Sequence, residues 1–428
     1  MLTSPSDTPV SSAGILRLRK PVTWVGLGLI VLALAYLGFK TYQMADRPGY
    51  DFRFIWLAGD LWLDGINPYG DAYEPAGKLR ISEGHIPTLW PYPPTWWAFS
   101  VPFGALDIYV ANVVWNIVNI IMIVWGTVLL SKAFVAAFPD ITTSLAPRFG
   151  GWMAAAVFST VLLLLSLLEA TAILFSVGQT TLFACFGIAI TLWARVQRLD
   201  LIEALGLTLI LLKPQIGVPY AIVLLLTDNR SRYVVLLAGV FSVILMVPAM
   251  LGEPSVFLDF VRNVTGYDEF TKANLPLSMT GIRLVIFEFL NKDIGNLTAA
   301  GLTLGVVLLA CVGPTRLCRS PDPSVHSWQL YGLSTTLIVT LAPLHIYDFV
   351  LLAVPLPLLF CANGIGRILL LAGAALIWRS ENLAALTGFH DPSVEIFPGS
   401  RLATIGAMIF LVGITITISR INHKGPDG

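Results

Sequence analysis

Charge is scarce in this sequence. Only 12% of its 428 residues are charged, and 26 basic side chains balance 26 acidic ones to a formal net charge of zero. Soluble domains carry about a quarter. Without a basic surplus there is no electrostatic footprint for a nucleic-acid backbone. Cysteine is scarcer still: Cys185, Cys311, Cys318 and Cys361 lie in or beside apolar runs. Their spacing fits neither a metal site nor a disulfide framework. The chain also lacks an Asp-x-Asp motif, an internal repeat, a low-complexity tract and an appended soluble domain. Its apolar segments do not alternate with period two, which excludes barrel strands.

What the chain has is apolar length. Hydrophobic residues make up 56% of it, and the mean hydropathy is +0.77. Its apolar runs are long enough to cross a hydrocarbon core about 30 Å thick. A span must satisfy its backbone hydrogen bonds internally, so helices are expected. The predicted fold is an all-α polytopic transmembrane bundle of about 10–12 helices, a single domain over residues 1–428. Arg17, Arg19 and Lys20 precede the first run, and no small-residue cleavage site follows Phe39. The reading is a retained helix over Val22–Phe39 and not a signal peptide.

Short loops rich in Lys and Arg belong on the cytoplasmic side. With Arg17, Arg19 and Lys20 inside, further spans fall near 107–131, 150–168, 179–195, 232–251, 296–313, 328–343, 346–362, 365–378 and 402–418. That makes a multi-pass protein with both termini cytoplasmic. The stretch 201–226 begins and ends beside cytoplasmic arginines and contains Lys213-Pro214 and Gly217-Val218-Pro219. Proline breaks helices, so two short helices that dip in and return are expected there. The outside loops are then 40–106, 169–178, 252–295, 343–348 and 379–401, and carboxylates gather in them.

In the first of these loops, Phe52, Ile55, Trp56, Gly59, Trp62 and Leu63 recur at helical spacing. This predicts an amphipathic helix on the membrane surface with its aromatics at headgroup level. Asp51 stands at its N-cap position and Gly65 can end it. A stiff Pro91-Tyr92-Pro93-Pro94 run follows, with Trp96 and Trp97 read as interfacial aromatics. Asp60 and Asp64 share one helix face and read as solvated charges. Lys213 lies within an apolar stretch, where a charge costs about 2.5–3.5 kcal/mol. It needs a carboxylate partner, such as Glu203 or Glu169, or an anionic ligand.

Four segments in order carry a resemblance. They are Asp51-Phe52 through Asn67-Pro68-Tyr69 with the later Tyr92-Pro93-Pro94; Ser176-Val177-Gly178-Gln179-Thr180-Thr181-Leu182, whose Gly-Gln opens a span; Leu211-Leu212-Lys213-Pro214-Gln215; and Leu341-Ala342-Pro343-Leu344-His345-Ile346-Tyr347-Asp348. They resemble glycosyltransferase family 87, polyprenyl-phosphate-sugar-dependent membrane enzymes of the GT-C class that include α-mannosyltransferases. The family's Asn-Gln-Ser-Leu segment is kept only in part in Asn274–Arg283, and Arg53 stands where the family is usually apolar or small.

The resemblance implies transfer of a hexose, mannose in the family's type members. The donor would be a polyprenyl-phosphate sugar, and the acceptor a lipid or glycan hydroxyl at the outer face of the plasma (inner) membrane. Besides substrates, the partners would be membrane lipids, with no nucleic acid, no cofactor and no metal. A hydroxyl is a poor nucleophile and needs a base; one carboxylate suffices for single-displacement inversion. Asp51 takes that role by resemblance. Lys213, His345, Arg283, Gln179 and Tyr347 would meet the donor phosphate and sugar. Glu169, Tyr92, Asn67, Tyr69 and Asp348 would line the substrate cavity. A secondary transporter or flippase shares the many spans and the broken helix. Against transport stand the missing paired halves and the clustering of polar residues in outside loops.

Overall fold

A computed structural model describes residues 12–81, 86–141, 153–266, 274–313, 317–388, 397 and 399–423. Among these there is no strand. Helix α1 (Ser12–Gln43) leads to α2 (Tyr50–Leu63), α3 (Tyr73–Arg80) and a 3₁₀ turn (Pro94–Trp96) that runs into α4 (Trp97–Gly104). Next comes α5 (Ile108–Ala137), capped by the Asp107 carboxylate, which accepts the Tyr109 and Val110 N–H groups at 3.0 and 3.3 Å. Then follow α6 (Met153–Leu167), α7 (Glu169–Val177), α8 (Thr181–Gln197), α9 (Asp200–Leu211), α10 (Pro214–Thr227), α11 (Asn229–Gly252) and α12 (Val256–Gly266). The chain continues with α13 (Ile282–Leu290), α14 (Gly295–Cys311), α15 (Pro323–Leu341) and two 3₁₀ segments (Ile346–Ala353 and Leu356–Phe360). It closes with α16 (Gly364–Trp378), α17 (Ser380–Thr387) and α18 (Ser400–His423).

Four helices are long and apolar enough to cross a bilayer: α1 over Val25–Gln43, α5, α11 and α18 over Ser400–Asn422. Three bent pairs, α6 with α7, α13 with α14 and α16 with α17, raise the number to seven if each is one span. The protein is an all-α polytopic membrane protein. Ten full crossings exceed what helix length and composition support among the described residues. Helices α8 and α10 are apolar but shorter. The expected span at 346–362 is not a regular helix: Pro355 and Pro357 lack the N–H that an α-helix needs there. Its 3₁₀ segments are instead buried in the protein, with Phe349, Val350 and Leu358 wholly covered. Some hydroxyls inside the helices are satisfied within their own turn, as where Thr127, Ser131 and Thr191 donate to carbonyls four residues back.

The broken pair at 201–226 is present. Its first helix ends at Leu211, Lys213 caps the second and Pro214 opens it. Proline at a first helical position gives up an N–H that would have no intrahelical partner anyway. The Lys213 carbonyl accepts the Ile216 and Gly217 N–H groups at 2.9 Å. The Leu212 carbonyl, freed by the break, accepts the Trp96 indole N–H at 2.9 Å. At the far end, Arg195 pairs with Glu203 and Asp228, and Arg230 with Asp200 and Glu203. That network ties α8, α9 and α11 together.

The loop helix α2 forms as its spacing predicts, with Gly65 in a left-handed turn (φ +71°) just past its end. Its setting differs from expectation. Phe52, Phe54, Ile55, Trp56, Leu57, Ala58 and Leu61 are all buried, so both faces pack on protein and these aromatics contact protein in place of a lipid surface. Helix α4 covers it at a crossing where a Cβ on Gly59 or Gly104 would overlap the opposite backbone. Trp96 is likewise fully buried and not interfacial, while Trp97 is partly exposed. The cap is also corrected: Gly49 is the N-cap of α2 and Asp51 lies in its first turn. Asp60 and Asp64 are not simply solvated but both pair with Arg80.

Candidate active site

The first turn of α2 meets the turn after α7 because two glycines let them touch. Gly178 ends α7 with φ +73°, and a Cβ there would overlap the Phe52 side chain. On the other side, a Cβ at Gly49 would overlap the Val177 carbonyl. An L-residue pays both strain and overlap at Gly178, so glycine is required there. The contact sets Asp51 opposite Gln179, whose Nε2 donates to Asp51 Oδ2 at 2.9 Å. Gln179 Oε1 accepts the Thr180 backbone N–H at 2.7 Å, the Thr180 hydroxyl at 3.0 Å and the Tyr92 hydroxyl at 3.4 Å.

One residue later, Thr181 opens α8 and donates its hydroxyl to Asp348 Oδ1 at 2.5 Å. The Lys213 ammonium donates to the same carboxylate oxygen and, at 2.7 Å, to Thr181 Oγ1. Lys213 and Asp348 are 4% and 1% exposed, so this is a buried ion pair. The Tyr347 ring lies under the ammonium, 5.3 Å from Nζ to centroid, within cation–π range. Asp348 Oδ2 accepts the His345 backbone N–H at 3.1 Å, and the His345 ring packs at a tilt against Tyr347 and Phe397, with centroids 5.1 and 5.6 Å away. His345 Nδ1 lies 3.4 Å from the Ser278 carbonyl.

The electrostatics join these groups. Burial pushes the Asp51 carboxyl up to about 7; the Lys213 charge opposes this and the Asp348 charge adds to it. Burial pulls the His345 imidazole below its ordinary value, against the Asp348 carboxylate and with the Lys213 ammonium. The Lys213 and Asp348 charges thus act on both Asp51 and His345. A carboxylate with its proton affinity near neutrality is suited to accept a proton at physiological pH. Among the described residues, no three His, Cys, Asp or Glu side chains gather as a metal-binding group.

The other expected residues fall in three places. Tyr92 touches the cluster through Gln179, and Tyr69 stands behind it, its hydroxyl donating to the Tyr92 carbonyl at 2.5 Å. Asn67 lies outside the cluster, bonded to Asp259 of α12 at 3.0 Å. Glu169 is not in the cluster: its carboxylate holds the start of α17 through the Glu381 N–H at 2.8 Å and the Asn382 side chain. Arg283 is not in it either. Asp293 takes its Nε and Nη2 at 2.8 and 2.7 Å, and Asn296 and the Asn274 carbonyl take Nη1 at 2.6 and 2.9 Å. These bonds tie α13 to the start of α14 and engage four of the five guanidinium donors. Neither Glu203 nor Glu169 is the partner of Lys213; Asp348 is. Thr180 and Thr181 stand in the resembling segment beside Gly178-Gln179 but carry no role in the sequence reading; the structure makes them members of the cluster.

The model of glycosyltransferase family 87 matches residues 90–343, which span Tyr92, Gln179, Thr181 and Lys213. Asp51 and His345 lie outside that stretch and are joined to it by the contacts above. No curated protein matches the sequence.

Proposed function

The chain belongs to glycosyltransferase family 87 and is a membrane glycosyltransferase, and we propose that it transfers a hexose, mannose foremost, from a polyprenyl-phosphate-linked donor to a lipid or glycan hydroxyl at the extracytoplasmic face of the plasma membrane. The observation that carries this reading is the placement of Asp51: a partly buried carboxylate in contact with the matched segment and within the field of Lys213 and Asp348.

In the proposed reaction the acceptor oxygen attacks the anomeric carbon as the bond from that carbon to the phosphate oxygen breaks. Asp51 takes the hydroxyl proton, and polyprenyl phosphate leaves with both electrons of the broken bond. One displacement inverts the anomeric centre. Lys213 gives the departing phosphate a fixed cation. Its side chain is held on two sides by Thr181 and Asp348 and covered by Tyr347. In this reading His345, which burial keeps towards its neutral form, hydrogen-bonds sugar or phosphate.

The test uses membranes holding the wild-type chain, given radiolabelled polyprenyl-phosphate-mannose and a lipid acceptor extract. The expected result is a new mannosylated lipid. Counterflow of a soluble sugar in proteoliposomes, with no transfer, would overturn the enzyme reading in favour of transport.

A further inference from the structure

We infer that Gln179 is a positioning residue for Asp51: its amide pins one carboxylate oxygen, Oδ2, and leaves the other, Oδ1, as the oxygen that takes the acceptor's proton. The assignment of Asp51 as base rests on the function proposed above. The assignment of Gln179 rests on hydrogen-bond logic. A backbone N–H can only donate, so the Gln179 atom 2.7 Å from the Thr180 N–H must be the amide oxygen. The amide nitrogen then faces Asp51, at 2.9 Å from Oδ2. The reverse orientation would set an amide oxygen against a carboxylate and an NH₂ group against an N–H. The Thr180 and Tyr92 hydroxyls, at 3.0 and 3.4 Å, hold the same oxygen.

The neighbouring turn makes this orientation rigid. Gly178 is in the left-handed region and Thr181 is bonded to Asp348, so Gln179 and Thr180 are anchored on both sides. Among the described residues, Gln179 is the sole hydrogen-bond partner of the Asp51 side chain. The charged and titratable groups that act on Asp51 are Lys213, between α9 and α10, and Asp348, in the 3₁₀ segment; Asp51 in turn acts on Tyr50. An N–H donated to the ionised form favours that form. Removing it raises the proton affinity of Asp51 and frees the carboxylate to rotate away from the acceptor. The role differs from sugar binding, which would show in substrate affinity and not in the titration of Asp51.

Two readouts are taken on purified full-length protein. The first is the infrared absorption of the Asp51 carboxyl, identified by its loss in Asp51→Asn and followed from pH 4 to 10. The second is the pH profile of kcat and KM for mannosyl transfer. In Gln179→Leu the Asp51 titration moves up by about one unit, kcat falls roughly tenfold and KM holds. In Gln179→Glu the shift is larger, because two carboxylates then share one site. Tyr92→Phe removes one hydroxyl that steadies the amide and gives a smaller shift in the same direction, which serves if the Gln179 variants do not fold. An unmoved Asp51 titration in all folded variants overturns the inference, as does a rise in KM with kcat and pH profile unchanged. If the wild type transfers no sugar while the titration shifts as stated, the functional reading fails and the positioning role stands.

Discussion

Replacing Lys213 with methionine keeps most of the side-chain volume and removes the ammonium. Asp348 is then left at 1% exposure, and among the described residues its carboxylate keeps the Thr181 hydroxyl and the His345 backbone N–H as donors. Breaking a buried pair by removing one partner costs about 3–5 kcal/mol, because the remaining charge keeps its desolvation penalty. Asp348→Asn in the same background removes that charge and keeps an oxygen for the two neutral donors. The double variant should therefore recover most of the loss, with a coupling energy of about 2–3 kcal/mol between the two sites. The assay is a thermal melt of the four proteins in one detergent at one scan rate, followed by the monomer peak on size exclusion. Lys213→Met should melt several degrees below wild type, and the double variant should approach it. If the double variant loses the sum of the two single losses, the pair is not the unit described here.

Further outcomes follow from the same contacts. Transfer should rise with pH through about 7 as Asp51 loses its proton, and be flat above it. The folded state binds that proton more tightly than the unfolded chain, so stability should fall as pH climbs from about 4 towards about 7; a pH series of melts and initial rates checks both. Trp96→Phe removes the indole N–H from the Leu212 carbonyl in a buried site and should cost about 1–3 kcal/mol, read as a lower melting temperature. Gly178→Ala forces a Cβ into the Phe52 side chain at a positive φ, so it should cut kcat by separating Asp51 from Gln179 even where the protein still folds. Arg283→Lys should lower stability and leave KM for the donor unchanged, since the guanidinium serves Asp293 and Asn296.

The sequence made the helical membrane architecture legible because apolar runs and helix-breaking prolines are local signals. The break at Lys213-Pro214 is an example: the missing N–H of Pro214 and the buried charge of Lys213 can both be read without any contact. The partner of that charge could not be read, because Asp348 lies 135 residues away and sequence offers no distance. The same limit applies to two other charged residues. The contacts of Glu169 with Asn382 and of Arg283 with Asp293, which tie helices together, could not be read from the sequence either. Helix α2 was visible from its spacing, yet period alone cannot tell a lipid-facing surface from a buried one when α4 covers the second face. Asp51 stood out only through resemblance, and the cap position that sequence assigned it belongs to Gly49.

The central claim is that Asp51 takes the acceptor's proton. Asp51→Asn conserves the shape and can still accept the Gln179 N–H, so expression and melting temperature should hold. Losing a general base costs about 10²–10⁴ in rate. The decisive measurement is single-turnover mannosyl transfer from polyprenyl-phosphate-mannose by wild type and Asp51→Asn at pH 8 in matched proteoliposomes. The account predicts a loss of at least a hundredfold with an inverted product anomer in the wild type. Transfer by Asp51→Asn at the wild-type rate would contradict it.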